Sequence, residues 1–181
     1  MSETHALASY IVNSRPEDIP ADVWHEAKRA LVNYVGCAVG GCREPAVDIA
    51  LRALSPYAGP ASAVVLGRPE RLDPLYASLM NGISAHVHDY DDTTPKNYGH
   101  LTAPTASALF AYASVHPVTG RDFMHAFVLG FEASSRVAAS RTCSRRVRSA
   151  SFISRSRMTR LCTFSPSCPA NGPSLMRKSM E

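Results

Sequence analysis

The sequence predicts an all-α fold, and three observations carry that expectation. Apolar residues recur at spacings of three and four through most of the first 140 residues, the period of a helix with one buried face. Those stretches are rich in Ala, Gly and Ser, which implies helices packed closely together. The one apolar run of another kind, Val64-Val65-Leu66 before Gly67-Arg68-Pro69, is short enough for a single strand or hairpin. No repeat and no linker interrupts this region, so residues 1–140 read as one helical unit.

Each element has its own signal. In "PADVWHEAKRALVNYVGCAVGG", Trp24, Ala27, Leu31, Tyr34 or Val35, and Ala38 share a face. Pro20 suits a first turn, and Gly40-Gly41 are read as the end of that helix, where positive φ is needed. "EPAVDIALRALSPYA" repeats the pattern with Val47, Ile49, Ala50, Leu51 and Leu54, and Pro56 stops it. After the Val-rich run, a helix is expected from about Pro74 to about His88. A polar loop follows, in which Pro95, Asn97 and Gly99 forbid a long helix. "TAPTASALFAYASVH" is then a small-residue helix, with Thr102 read as its N-cap and Pro104 tolerated in its first turn. "GRDFMHAFVLGFEASSRVAAS" closes the series behind Gly120.

Composition narrows the function classes. Hydrophobic residues make up 45% of the 181 and charged residues 19%, ordinary values for a globular domain. No apolar run approaches the roughly 18–20 residues of a membrane span. The N-terminus lacks a basic region followed by an apolar one, so no signal peptide is read and a cytoplasmic location is expected. Charge is uneven: residues 1–140 hold 10 Lys+Arg against 14 Asp+Glu, whereas residues 141–181 hold 9 against 1. That second segment is dominated by Arg, Ser, Pro and Cys and follows neither helix nor strand period. It reads as a frameshift-derived or otherwise non-native tail, or as a disordered basic segment. A nucleic-acid arm is the weaker reading, because the tail has no Tyr or Trp and its Phe152 and Phe164 are isolated. Cys143, Cys162 and Cys168 lack zinc-site spacing, and Cys37 and Cys42 read as small buried residues.

The stretch "AHVHDYDDT", residues 85–93, concentrates two histidines and three aspartates. On a helix continued to His88, Asn81, Ala85, His88 and Asp89 would fall on one face. His100 stands across the loop, before the next helix, whose N-terminal N–H groups suit an anion. Three readings stay open on these residues alone. A solvated acidic loop is one, although negative charge at a helix C-terminus opposes the helix dipole. A metal site is another, since His88-Asp89 is an HD dipeptide of the metal-dependent HD phosphohydrolase kind. Upstream, however, only His5 and His25 could complete it. The third is a metal-free acid–base site for a carboxylate, with His100 or Asp89 moving a proton and Thr93 donating a hydrogen bond.

Taken together, "LMNGISAHVHDYDDT", "HLTAPTASALFAYA" and "TGRDFMHAFVLGFEASSRV" resemble the MmgE/PrpD family. That family includes 2-methylcitrate dehydratase, cis-aconitate decarboxylase and iminodisuccinate epimerase. "IPADVWHEAKRALVNYVGCAVGG" and "VVLGRPERLDPLYASLMNG" are similar to earlier family segments, so the resemblance covers about residues 4–140. It implies the N-terminal part of a helical catalytic domain that belongs to a longer chain with an α/β lid. It further implies a homodimer, no metal or organic cofactor, and small di- or tricarboxylate substrates. The matching Asp, Thr and His are Asp89, Thr93 and His100, which become the expected catalytic residues. Two departures stand beside that match: the loop from Thr93 to His100 is about one residue longer, and Leu101-Thr102 replaces Pro-Ser.

The chemistry suits that placement. Removing water from a hydroxy-tricarboxylate takes a proton from carbon and delivers one to the departing hydroxyl, and an imidazole with a pKa of about 6.5 can serve either step. Substrate carboxylates also need cations. Within the first 140 residues only Lys96, the expected substrate-binding residue, and Arg136 offer themselves. The family draws its other basic residues from downstream segments. The sequence therefore predicts a 2-methylcitrate dehydratase-like lyase whose present form is truncated and inactive. The alternative is a non-enzymatic helical fragment that associates with a partner chain. Asp91 and Asp92 are assigned to loop shape and His86 to packing or support. His116 and His125 are read as structural, Trp24 as core, and Glu132 with Arg136 as a surface ion pair.

Overall fold

The computed structural model describes residues 3–93 and 99–143, with side chains for 4–93 and 99–138. Among these residues the fold is six α-helices and a two-stranded sheet. Helix α1 (Glu3–Asn13) is an element the sequence reading did not single out. Helix α2 (Ala21–Gly41) and helix α3 (Pro45–Leu54) follow. A hairpin comes next, β1 (Ala63–Val64) antiparallel to β2 (Arg71–Leu72), with Ala63 opposite Leu72. Helices α4 (Pro74–His86), α5 (Thr102–Ala113) and α6 (Gly120–Cys143) complete the order. The expected all-α architecture with one short hairpin is what the chain adopts. Residues 94–98, which include Lys96, and everything from residue 144 onward lie outside the described residues, so the expected tail does too.

Helix α4 is the central element, packed on α2, α3, α5 and the hairpin. Its start is fixed by Asp73, whose Oδ1 accepts from the Leu75 and Tyr76 amides at 2.9 and 3.3 Å, with Pro74 in the first turn. Its middle is tied to the hairpin by the buried Asn81. The Asn81 side-chain oxygen accepts from the Leu66 amide at 2.8 Å, and its Nδ2 donates to the Val64 carbonyl at 3.1 Å. The amide thus serves β1 as a neighbouring strand would, satisfying two main-chain groups that would otherwise lie unpaired. Helix α6 begins with Thr119 as its cap: the Asp122 amide donates to Thr119 Oγ1 at 3.1 Å, and that hydroxyl donates to Asp122 Oδ2 at 2.7 Å.

Two apolar clusters form the core. Ala27, Ala30, Tyr34, Ala38, Ala103, Ala106, Phe127 and Phe131 lie where α2, α5 and α6 meet. Leu51, Val65, Leu72, Met80 and Ala111 fill the space beneath α3 and the hairpin. The small residues act as anticipated. A Cβ on Gly41 would stand 2.2 Å from the Ser84 carbonyl oxygen of α4, and one on Gly130 would stand 2.6 Å from Thr105 Cγ2 of α5. Between α2 and α5, the Tyr34 hydroxyl and Ser107 Oγ share a 2.8 Å hydrogen bond, and burial pushes the phenol's pKa up to about 12.

Several sequence expectations are corrected here. Gly41 is not present for positive φ: α2 runs through it and caps at Cys42 in the right-handed region, so close approach is the reason for glycine. Pro20 precedes the first helical residue instead of occupying the first turn. Ile49 is 59% exposed, and Trp24 is only partly buried. Thr102 is the first residue of α5, one position past the cap at Leu101, and its hydroxyl donates to Asp92. Glu132 and Arg136 do pair, at 3.4 Å, but both side chains are largely buried and Arg136 lies over the Tyr10 ring. The pair therefore pins α6 to α1 instead of decorating a surface. His125 is structural as expected, sharing a 3.1 Å hydrogen bond with Ser14.

Candidate functional site

Helix α4 stops two residues earlier than the sequence suggested, and that difference builds the site. Val87 caps the helix by donating to the Ile83 carbonyl, and Asp89 donates its amide to the His86 carbonyl at 2.9 Å. Asp89 itself adopts φ +51°, the left-handed conformation that aspartate tolerates better than most non-glycine residues. The chain turns sharply there, so His88 and Asp89 do not continue the α4 face. His88 approaches Glu44 at 3.6 Å while Asp89 approaches His100, which takes the HD dipeptide apart as a paired ligand set. The same turn carries Asp91 and Asp92 inward.

Asp91 becomes the centre of the cluster. Its side chain is only 1% exposed, and its Oδ1 lies 2.9 Å from His86 Nδ1 and 3.2 Å from His100 Nδ1. The two imidazoles meet edge to face, 4.5 Å between ring centres. His100 Nε2 is 3.5 Å from Asp89 Oδ1, and the Asp89 side chain is 79% exposed. His100 thus stands between a buried carboxylate and a solvent-facing one. Asp92 is buried beside them and accepts from Thr102 Oγ1 at 2.8 Å. This contact ties the loop to the first turn of α5.

Electrostatics are set by this geometry. The hydrogen bond to Asp91 raises the His86 pKa above the ordinary imidazole value, more than partial desolvation lowers it. Burial raises the Asp92 carboxyl, and Asp91 adds to the effect while Thr102 and His100 oppose it. Burial, reinforced by Asp91 and Asp92, also pushes the Cys37 thiol up, which disfavours a thiolate nucleophile there.

Beside the cluster lies an open groove of about 700 Å³, lined by His86 and His100 together with apolar and small residues of α4 and α5, among them Leu79, Ile83, Val87, Ala103 and Pro104. Neither lysine nor arginine lines it among the described residues. Of the residues expected from sequence, Asp89 and His100 are brought together. Thr93 is exposed and does not line the groove, and Lys96 falls among residues 94–98, outside those described. His86 and Asp91 are the members that sequence reasoning had set aside. On a straight helix His86 diverges from Asp89, and only the left-handed residue at 89 brings the chain back to it. The signal that could have found them was the pairing of an early helix stop with Asp at a turn.

A helical scaffold that gathers two imidazoles around one buried carboxylate, at the edge of a groove, presents a candidate acid–base centre. The chain belongs to the MmgE/PrpD family: the family model described as MmgE/PrpD N-terminal domain matches residues 5–161. That match runs past residue 140, where the sequence reading drew its boundary. The chain is 32% identical over 146 residues to the cis-aconitate decarboxylase-like protein oryM of Aspergillus oryzae. It is 26% identical over 139 residues to a cis-aconitate decarboxylase of Aspergillus terreus, and 28% identical over 141 residues to that of Homo sapiens. These matches take in 74–75% of this chain and 28–30% of the relatives. The chain therefore spans about three-tenths of the length of the curated relatives it matches.

Proposed function

We propose that this chain supplies the acid–base wall of a lyase that acts on a small di- or tricarboxylate. The observation that supports it most is the position of His100, with Nδ1 toward the buried Asp91 and Nε2 toward the exposed Asp89. With a buried carboxylate 3.2 Å from one ring nitrogen, the other nitrogen is the one that faces outward and can pass a proton. Loss of CO2 from an unsaturated tricarboxylate leaves a carbon that must gain a proton. Loss of water requires a proton taken from carbon and one given to the departing hydroxyl. His100 can serve either reaction, and Asp89 stands where it can exchange the proton with His100. The names of the relatives favour decarboxylation over the dehydration expected from sequence. His86, whose pKa is raised by its hydrogen bond to Asp91, lines the groove and is the cationic group nearest to it when protonated. The exposed Thr93 would donate a hydrogen bond to a substrate carboxylate. Further cations, Lys96 among them, are proposed to come from outside the described residues, and the purified chain is expected to show no turnover by itself.

A chimera tests the reading. Residues 5–138 would replace the matching stretch of the Aspergillus terreus decarboxylase, with folding checked by circular dichroism and CO2 release measured from cis-aconitate. The expected result is a folded, active chimera whose kcat falls by roughly 10²-fold or more in His100→Gln, the range that general acid–base groups contribute. A folded chimera that is inactive, or one indifferent to His100→Gln, would sink the proposal.

A further inference from the structure

We propose that His86, Asp89, Asp91 and His100 form a binding site for a divalent metal ion of the zinc class. One ligand atom from each residue lies within 4.8 Å of the others. Zinc holds nitrogen and oxygen ligands at roughly 2.0–2.2 Å, which sets tetrahedral ligands about 3.4 Å from one another. The separations of 2.9 and 3.2 Å from Asp91 Oδ1 to the two Nδ1 atoms are already close to that spacing. His100 can ligate through only one ring nitrogen, and the exposed Asp89 carboxylate, 3.5 Å from the other, stands at the open side of the cluster.

A second observation points to a ligand. The Asp91 side chain is 99% hidden and turned toward both imidazoles, yet its Oδ2 has no hydrogen-bond partner among the described residues. The buried Nδ1 of His100 has none either, since its 3.2 Å approach to Asp91 lacks hydrogen-bond geometry. Buried polar atoms are almost always satisfied, and an unpaired one calls for an ion, a water or a reactive role. Here an orphaned carboxylate oxygen and an orphaned imidazole nitrogen belong to the same cluster. Two imidazoles with two carboxylates suit zinc, cobalt or nickel better than the all-oxygen preference of magnesium or calcium. The two carboxylates also balance the charge of a divalent ion.

Such an ion would compete with the proton shared between His86 and Asp91, so binding should strengthen as pH rises. Its functional consequence rests on the acid–base reading above: an ion on His100 takes the lone pair that proton transfer needs, so occupancy would silence the site. The binding itself does not depend on that reading, and a failed chimera would leave it standing.

The test is a Zn2+ titration of the full 181-residue chain, followed through the imidazole proton resonances. At one equivalent, His86 and His100 should shift together while His88 stays in place. His86→Gln, at a half-exposed position, and Asp91→Asn should each weaken binding at least tenfold, whereas His88→Gln should not. Zinc uptake that leaves His86 and His100 unmoved, through the cysteines for example, would overturn the proposal. So would an affinity unchanged in His86→Gln.

Discussion

Asp91 and Asp92 are neighbours in sequence and both buried, and burial gives Asp92 a titration signature. Its carboxyl titrates above the ordinary range in the folded chain, first because it is buried and then because Asp91 lies beside it. Between the ordinary value near 3.8 and the raised one, the folded state holds a proton that the unfolded chain has released. Stability must therefore fall as pH rises through that window. Asp92→Asn keeps an oxygen that can accept from Thr102 and removes the buried charge. It should raise the melting temperature at pH 7 and lose that advantage near pH 3.5, as read by thermal melts of both proteins. An advantage of equal size at both pH values would show that the charge is not the cause. At this scale the sequence was half legible. Asp89 and His100 were found through a resemblance to family motifs, while His86 and Asp91 were passed over because helical phase was extended past the residue that breaks it.

Among the elements, α2 and α4 owe their close approach to a missing side chain. The Gly41 position leaves 2.2 Å between a hypothetical Cβ and a main-chain oxygen, and backbone cannot yield as a flexible side chain can. Gly41→Ala should therefore cost about 1–3 kcal/mol, the range of overpacked cores. Gly36, on the same helix with nothing within 4 Å, provides the opposite case. Gly36→Ala should stabilise by up to about 1 kcal/mol through helix propensity alone. Urea denaturation of the two variants reads the signs, and a stable Gly41→Ala would mean that α2 and α4 can separate freely. Helices α2 to α6 were legible because their apolar periods are long. The ends were not: whether Gly, Thr or Pro caps a helix depends on tertiary neighbours such as Ser84 and Asp92, which no local window contains. Helix α1 is held in part by a tie that no local window contains, the stack of Tyr10 beneath Arg136, which spans more than a hundred residues.

In the molecule as a whole, α4 joins two regions with different demands. Asn81 bonds the hairpin on one side, and five residues later His86 meets Asp91. The helix acts as a phase ruler between them. Each residue added to an α-helix rotates the remainder of the chain by about 100° and advances it by about 1.5 Å. One alanine inserted between Asn81 and His86 should swing His86 and the turn after it out of register with His100 and with Thr102 of α5, while leaving the hairpin clamp in place. It should abolish the through-space NMR contact between the His86 and His100 rings, and an unchanged contact would refute the phase argument. Tolerance for insertion and deletion along this chain should accordingly be divided by Asp89: length is fixed on the helical side, where angle carries the information.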